Sequence, residues 1–236
     1  MRWSLGFLAL VASAGLFAGE PEPVETPPEP EGVVGPQHDG QENFVPLFNG
    51  RDLTGWAGAL KGYTVKDGVL ACRPESGGRI YTEEEYADFV LRFEFKLSPG
   101  ANSGLSIRTP PGGEGAKDGM EIQILDDSSP LYRNMPAWYK HGAIFGVAPA
   151  KPGHLRPVGE WNTQQVIARG TRVVVKLNGT IILNADLAPI LESGRTADGR
   201  GVMAAHAGLH RKSGRIGFIG SGSKAEFRDV WIKVLK

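Results

Sequence analysis

The sequence predicts an all-β fold, a two-sheet antiparallel β-sandwich or barrel, and three observations carry that prediction. Apolar and polar residues alternate with period two in one segment after another from Val65 onward. Turn residues separate those segments, and long helical periodicity is missing, so nothing reads as a crossover helix. Leu91, Phe93, Phe95 and Leu97 share one face, with Arg92, Glu94 and Lys96 on the other. Ser103, Leu105 and Ile107 then oppose Asn102, Gly104, Ser106 and Arg108. Met120, Ile122 and Ile124 oppose Glu121 and Gln123, and Val173, Val175 and Leu177 oppose Arg172 and Lys176. Half-buried antiparallel strands produce this pattern. Lys66-Asp67-Gly68, Pro99-Gly100 and Asn178-Gly179 supply turns between apolar runs. Glu83–Tyr86 and Leu187–Glu192 read as single helical turns.

The domain that holds these segments begins near Asn43 or Phe44 and runs to residue 236. Residues 1–19 read as a signal peptide, with Arg2 as the positive n-region, Leu5–Val11 as the apolar stretch and small residues for cleavage at Ala12-Ser13-Ala14 or Phe17-Ala18-Gly19. The apolar run is too short for a membrane-spanning helix, so the expected location is exported, periplasmic or extracellular. Residues 20–43 alternate Pro and Glu (Glu20-Pro21-Glu22-Pro23, Thr26-Pro27-Pro28-Glu29-Pro30) and read as a disordered, extended linker. The formal net charge is zero, but the linker carries seven acids and no base. Without those acids and Arg2, 25 Lys and Arg face 19 Asp and Glu. That mild, scattered excess has no basic run interleaved with aromatics, which argues against nucleic acid as a partner. The single cysteine, Cys72, excludes an intramolecular disulfide, so stability rests on the core. No phosphate-binding Gly-rich loop and no Gly-x-Ser-x-Gly elbow is present.

Several motif blocks occur in a fixed order. Phe48-Asn49-Gly50-Arg51-Asp52-Leu53-Thr54-Gly55-Trp56 opens the domain, followed by Tyr86-Ala87-Asp88-Phe89, Asn102-Ser103-Gly104 and Arg108. Gly119-Met120-Glu121-Ile122-Gln123-Ile124-Leu125-Asp126, Gly142-Ala143-Ile144-Phe145, Gly159-Glu160-Trp161-Asn162, Leu177-Asn178-Gly179 and Phe227-Arg228-Asp229-Val230 complete the set. In this order they resemble the 3-keto-disaccharide hydrolase family over residues 44–236. The resemblance implies a concanavalin A-like jelly roll with a groove suited to saccharides. It also implies hydrolysis of glycosides already oxidised to a ketone at C3. The chain departs from the family at one place. Relatives commonly carry Leu-Gln-x-His-Gly after the penultimate strand, where this chain has Phe218-Ile219-Gly220-Ser221-Gly222-Ser223. His206 and His210 lie upstream in an apparent loop, Gly194–Ser213, and reach the groove only if that loop folds back over it.

A C3 ketone acidifies the C2 hydrogen and makes the C1 substituent a leaving group by elimination. Hydration then completes a net hydrolysis. Such chemistry needs a base near C2, a partner for the enolate oxygen and an acid for the leaving group. The paired carboxylates of an ordinary glycosidase are not required. Glu121 is the expected base, because it projects from a mid-strand polar position where partial desolvation would raise its pKa. Asp126 is a second candidate. It lies on the opposite face unless a bulge turns it, and it also reads as a turn residue with Asp127 and Ser128. Arg108, on the Glu121 face if the two strands share a sheet, would bind an oxyanion or else pair with a glutamate across strands. His141 would serve as acid or as a structural residue. Asn102 and Gln123 are candidate hydroxyl contacts, with Asn102 also a turn former. Trp138 and Tyr139 are candidate sugar-stacking rings. Trp56 and Trp161 read as core, and Asp52 as a turn residue. No metal-ligand spacing is visible, and no cofactor is expected.

The reading is therefore an exported hydrolase of 3-keto-disaccharides or 3-keto-glucosides, with a saccharide as its partner. A non-catalytic carbohydrate-binding module and a structural envelope protein tethered by the linker are the alternatives. Convergence of Glu121, Arg108 and Asp126 in one pocket would favour the enzyme.

Overall fold

The computed structural model describes residues 43–236, so the expected signal peptide and all but the last residue of the expected linker lie outside it. Its strands are β1 (Val45–Pro46), β2 (Trp56–Gly58), β3 (Tyr63–Lys66), β4 (Val69–Cys72), β5 (Gly78–Thr82), β6 (Phe89–Leu97), β7 (Asn102–Thr109), β8 (Met120–Leu125), β9 (Trp161–Arg169), β10 (Arg172–Leu177), β11 (Thr180–Asp186), β12 (Arg215–Gly220) and β13 (Ala225–Val234). They form two antiparallel sheets. The larger runs β11-β10-β9-β6-β13-β4-β3 with β1 also beside β13, and the smaller runs β2-β5-β12-β7-β8. Among the described residues there are also three short α-helices, α1 (Gly115–Asp118), α2 (Ala188–Ser193) and α3 (Val202–Ala205), and four single 3-10 turns.

The period-two faces pack as the sequence requires. Phe89, Leu91, Phe93, Phe95 and Leu97 of β6 are all buried, while the intervening residues are half-exposed. Phe218 of the small sheet lies 3.9 Å, centroid to centroid, from Phe227 of the large one and 5.6 Å from Phe93. Trp56 stacks on the other side of Phe218 at 5.8 Å. Each buried aromatic of this kind contributes roughly 1.5–3 kcal/mol, and together they join the two sheets into one core. Asp67-Gly68 and Asn178-Gly179 both take positive φ. That is the backbone a two-residue hairpin needs to match strand twist.

Two sequence expectations are corrected. Glu83–Tyr86 forms no helical turn; Tyr86 instead bridges Gly214, which ties this stretch to the strand leading into β12. Trp161 is not core. It lies on the outer face of the large sheet between Lys96 and Arg228, whose charged groups sit 4.7 and 4.1 Å from its ring, a cation–π arrangement that keeps its edge wet.

The outer face of the small sheet positions the site. Its register places Tyr81, Gly217, Ser106 and Glu121 in one cross-strand row and Arg79, Ile219, Gly104 and Gln123 in the next. Three of the four central positions, Gly217, Ser106 and Gly104, are small, and Ile219 is the one large side chain among them. A Cβ on Gly217 would fall 2.3 Å from the Ile80 carbonyl oxygen, and one on Gly104 would meet Glu121 Oε1 at 2.4 Å. The start of α1 covers the same face, since a Cβ on Gly115 would lie 2.9 Å from Ile219 and 3.1 Å from Ser106.

Candidate functional site: the Glu121 pocket

Beneath α1 lies a pocket of about 370 Å³, lined by Gly78, Arg79, Glu114–Ala116, Glu121, Ile219 and Gly220. Glu121 rises from the middle of β8 with its carboxylate leaning over the bare Cα of Gly104, toward the Arg79 row. Among the described residues no protein group donates a hydrogen bond to it. Burial therefore decides its titration. Desolvation pushes the carboxyl from 4.5 up to about 7, and only the charge of Arg79 pulls the other way. Arg79 is held at the pocket wall by Nη1 donating to the Gly113 carbonyl at 2.8 Å, with Glu114 at 3.9 Å from Nη2. A carboxylate poised near neutrality and an adjacent guanidinium can accept a proton and steady a developing oxyanion.

Beyond β8 the backbone continues the small sheet irregularly. Phe145 N–H donates to the Glu121 carbonyl, and Gly142 N–H donates to that of Gln123. Phe145 thus ends the Glu121 row, and Tyr139 packs on it at 4.6 Å, with Trp138 edge-on to Tyr139 at 6.3 Å. Asn102 and Gln123 join through Gln123 Nε2 donating to Asn102 Oδ1 at 2.9 Å. Gln123 Oε1 and Trp138 Nε1 are buried without a protein partner, and a water or a bound hydroxyl satisfies such atoms. The segment that departs from the family pattern supplies part of the floor, because Ile219 and Gly220 line the pocket.

The structure does not bring Arg108, Asp126 or His141 to Glu121. Arg108 has φ of 52°, which turns it out of the strand's alternation. Its guanidinium is buried at one end of the sandwich, donating to the carbonyls of Ala87 and Gly170 and pairing with Asp88 at 2.9 Å. Asp126 follows the end of β8, five residues from Glu121 and so about 16 Å along a strand. No bulge brings it round, and it fixes a turn by accepting from the N–H groups of Gly100 and Ser128. His141 is in the core, stacked on Phe95 at 5.2 Å, and its Nδ1 accepts from the Leu125 N–H. Burial holds its ring neutral and pushes the pKa down to about 3, against the opposing pull of Gln164. Asp52, by contrast, does fix its turn, accepting from Thr54 N–H and the Asn49 amide.

Arg79, Glu114, Phe145 and Asp198 are residues of this region that sequence reasoning passed over, whereas His206, expected there only if its loop folds back, does reach Ala116 in the pocket lining. For Arg79 the available signal was its place as a polar member of a short alternating strand. Its relation to Glu121 exists only through the pairing of β5, β12, β7 and β8. A larger cavity of about 610 Å³ lies at the opposite end of β8, lined by Asp126, Asp127, Lys140 and largely apolar loop residues. Asp126 there is fully engaged in its turn, so the smaller pocket holds the better-placed chemistry. Among the described residues, no three His, Cys, Asp or Glu side chains converge to hold a metal ion, and no helix is long and apolar enough to cross a membrane.

A family model described as a 3-keto-alpha-glucoside-1,2-lyase-like domain matches residues 43–233. The chain belongs to this family. It is 23% identical to a 3-keto-disaccharide hydrolase of Bacteroides thetaiotaomicron, in an alignment covering 97% of this chain and 87% of that protein. A crystal structure described as a putative glycosyl hydrolase from Parabacteroides distasonis superposes with a TM-score of 0.73 at 27% identity, covering 81% of this chain and 99% of the other. A galectin-like protein from Bacillus subtilis (TM-score 0.50, 15% identity, 80% of this chain and 94% of the other covered) shares the fold alone. The architecture is thus the jelly-roll sandwich that the family resemblance implies.

Proposed function

We propose that this chain is an exported hydrolase that cleaves 3-keto-disaccharides or 3-keto-glucosides by elimination and hydration. The observation that carries the reading is a desolvated Glu121, poised near pH 7 beside Arg79 in a pocket on the sheet face. Membership of the 3-keto-alpha-glucoside-1,2-lyase-like family and similarity to the Bacteroides 3-keto-disaccharide hydrolase support the substrate class. In the proposed reaction Glu121 takes the proton from C2, and the C2–H electron pair moves into the C2–C3 bond as the ketone becomes an enolate. Arg79 offsets the negative charge on that oxygen. The enolate then re-forms the ketone and expels the C1 oxygen, which takes the proton held on Glu121 and leaves as an alcohol. Water adds across the resulting C1–C2 double bond, the hydroxyl at C1 and a proton at C2, to give the 3-keto sugar. Tyr139, Phe145 and Trp138 would bound the second sugar or aglycone with aromatic surface.

Incubation of 3-keto-trehalose or a 3-keto-glucoside in deuterium oxide tests this directly. Wild type should release the aglycone together with a 3-keto sugar that carries deuterium at C2, and Glu121→Gln should be slower by about 10²–10⁴-fold. Arg79→Met should lower kcat by about 10²-fold. Release without C2 deuterium would point to direct displacement. Retained activity in Glu121→Gln would remove Glu121 from its role. The separation of Arg108 and Asp126 from Glu121 favours the second reading, a carbohydrate-binding module. Saccharide binding with no turnover by wild type would establish it.

A further inference from the structure

His206 and Asp198 form a buried pair that touches Ala116 in the lining of the Glu121 pocket and, through Asp198, the Tyr139 hydroxyl. His206 caps the end of α3 and is 1% exposed. Its Nδ1 lies 3.0 Å from the carbonyl oxygen of Ala116 in α1, a residue that lines the pocket. Its Nε2 lies 3.3 Å from Asp198 Oδ2. A carbonyl and a carboxylate both only accept, so both contacts are hydrogen bonds when the ring carries both protons. Asp198 has further donors. Its Oδ1 accepts from the Thr196 hydroxyl at 2.6 Å and the Arg200 N–H at 3.0 Å, and its Oδ2 from Arg200 Nε at 2.6 Å and the Tyr139 hydroxyl at 3.2 Å. Burial alone would raise its pKa, but these bonds outweigh burial and hold the carboxyl below the usual range.

The cluster therefore touches the pocket lining directly and the Glu121 strand indirectly. Through Ala116 it holds α1, the cover that desolvates Glu121. Through Tyr139 it holds the ring packed on Phe145, which pairs with Glu121 along the backbone. The approach is close enough to exclude a side chain at Gly146, where a Cβ would lie 2.6 Å from Asp198 Oδ2 and 2.9 Å from the His206 ring. The same loop is zipped to its neighbour by the N–H groups of Ala197 and Asp198 donating to the carbonyls of Val147 and Gly146.

We propose that His206, seated on Asp198, is a positioning residue that clamps α1 and Tyr139 around Glu121 and so sets how dry the Glu121 carboxylate is. The inference rests on Glu121 being the working group of the pocket, but its test needs no turnover. Carboxyl ¹³C NMR follows the Glu121 titration in the full protein, with Glu121→Gln identifying the resonance. Wild type should titrate near 7. In Asp198→Asn and in His206→Phe, α1 loosens and water enters, and the titration should fall by about one unit or more toward the ordinary glutamate value. Asp198→Asn keeps the shape of the cluster should the bulkier substitution fail to fold. A lowered melting temperature with an unmoved Glu121 titration in Asp198→Asn would overturn the inference, leaving the pair merely structural. A moved titration in a protein that cleaves no 3-keto-glycoside would keep the clamp and sink the hydrolase reading.

Discussion

At the scale of the residue, Glu121 is a group whose usefulness and cost have one cause. Desolvation raises its folded pKa from 4.5 to about 7, so the folded protein holds the proton more tightly than the unfolded chain does. Its stabilising contribution is then fully present below about pH 4.5 and is lost as pH rises through 7. Glu121→Gln should accordingly be more stable than wild type at pH 8, by about 3 kcal/mol, with the two converging near pH 4.5. Urea unfolding at the two pH values measures this, and equal stability at pH 8 would mean that the carboxylate is well solvated. Glu121 could be singled out from alternation alone, because a charged residue between buried neighbours must leave the core face. Its partner could not. Arg79 lies 42 positions earlier, and nothing local links the two.

At the scale of the element, the rows beside Glu121 depend on β12 and β7 carrying small residues at Gly217, Ser106 and Gly104. Gly217 sits between Tyr81 and Ser106 in the outward row, and an added methyl would meet the backbone oxygen of Ile80 rather than a side chain that can swing away. Gly217→Ala should therefore cost about 1–3 kcal/mol, the penalty of overpacking against a rigid neighbour, read as a drop in melting temperature. A neutral result would show that β12 and β5 can separate. The strands themselves were legible in the sequence, because a period of two survives wherever one face meets a core and the other meets water. Positions where the chain leaves that period were not legible. Arg108 keeps its place in the pattern by number, yet its left-handed backbone turns the guanidinium into a clamp at the end of the sandwich. Trp161, read as core by residue type, is instead held on the surface by two cations.

At the scale of the whole molecule, His141 shows how the two sheets are fastened. It receives the Leu125 N–H at the end of the small sheet and stacks on Phe95 of the large one. Its Nε2 and the Gln164 amide approach without reaching hydrogen-bond geometry. The unfolded chain protonates this histidine below about pH 6.5, whereas the folded protein resists until about pH 3. Stability from His141 is thus present above 6.5 and lost as pH falls, at about 1.4 kcal/mol per unit in that window. Wild type should lose stability over this range faster than His141→Gln, measured by chemical unfolding at successive pH values. Parallel curves would mean that the buried ring is accessible to protons. The sequence by itself determined the fold class, the turns, the carboxylate of Glu121 and, through the ordered motif blocks, the family. These are properties of neighbours in the chain, where periodicity and turn chemistry act over a few residues. Only the tertiary structure decided which residues line the pocket and which brace its lining. Arg79, Ala116, Phe145 and the Asp198–His206 pair arrive through strand order, sheet register and a loop folded onto α1, and those pairings join residues whose spacing in the chain carries no signal.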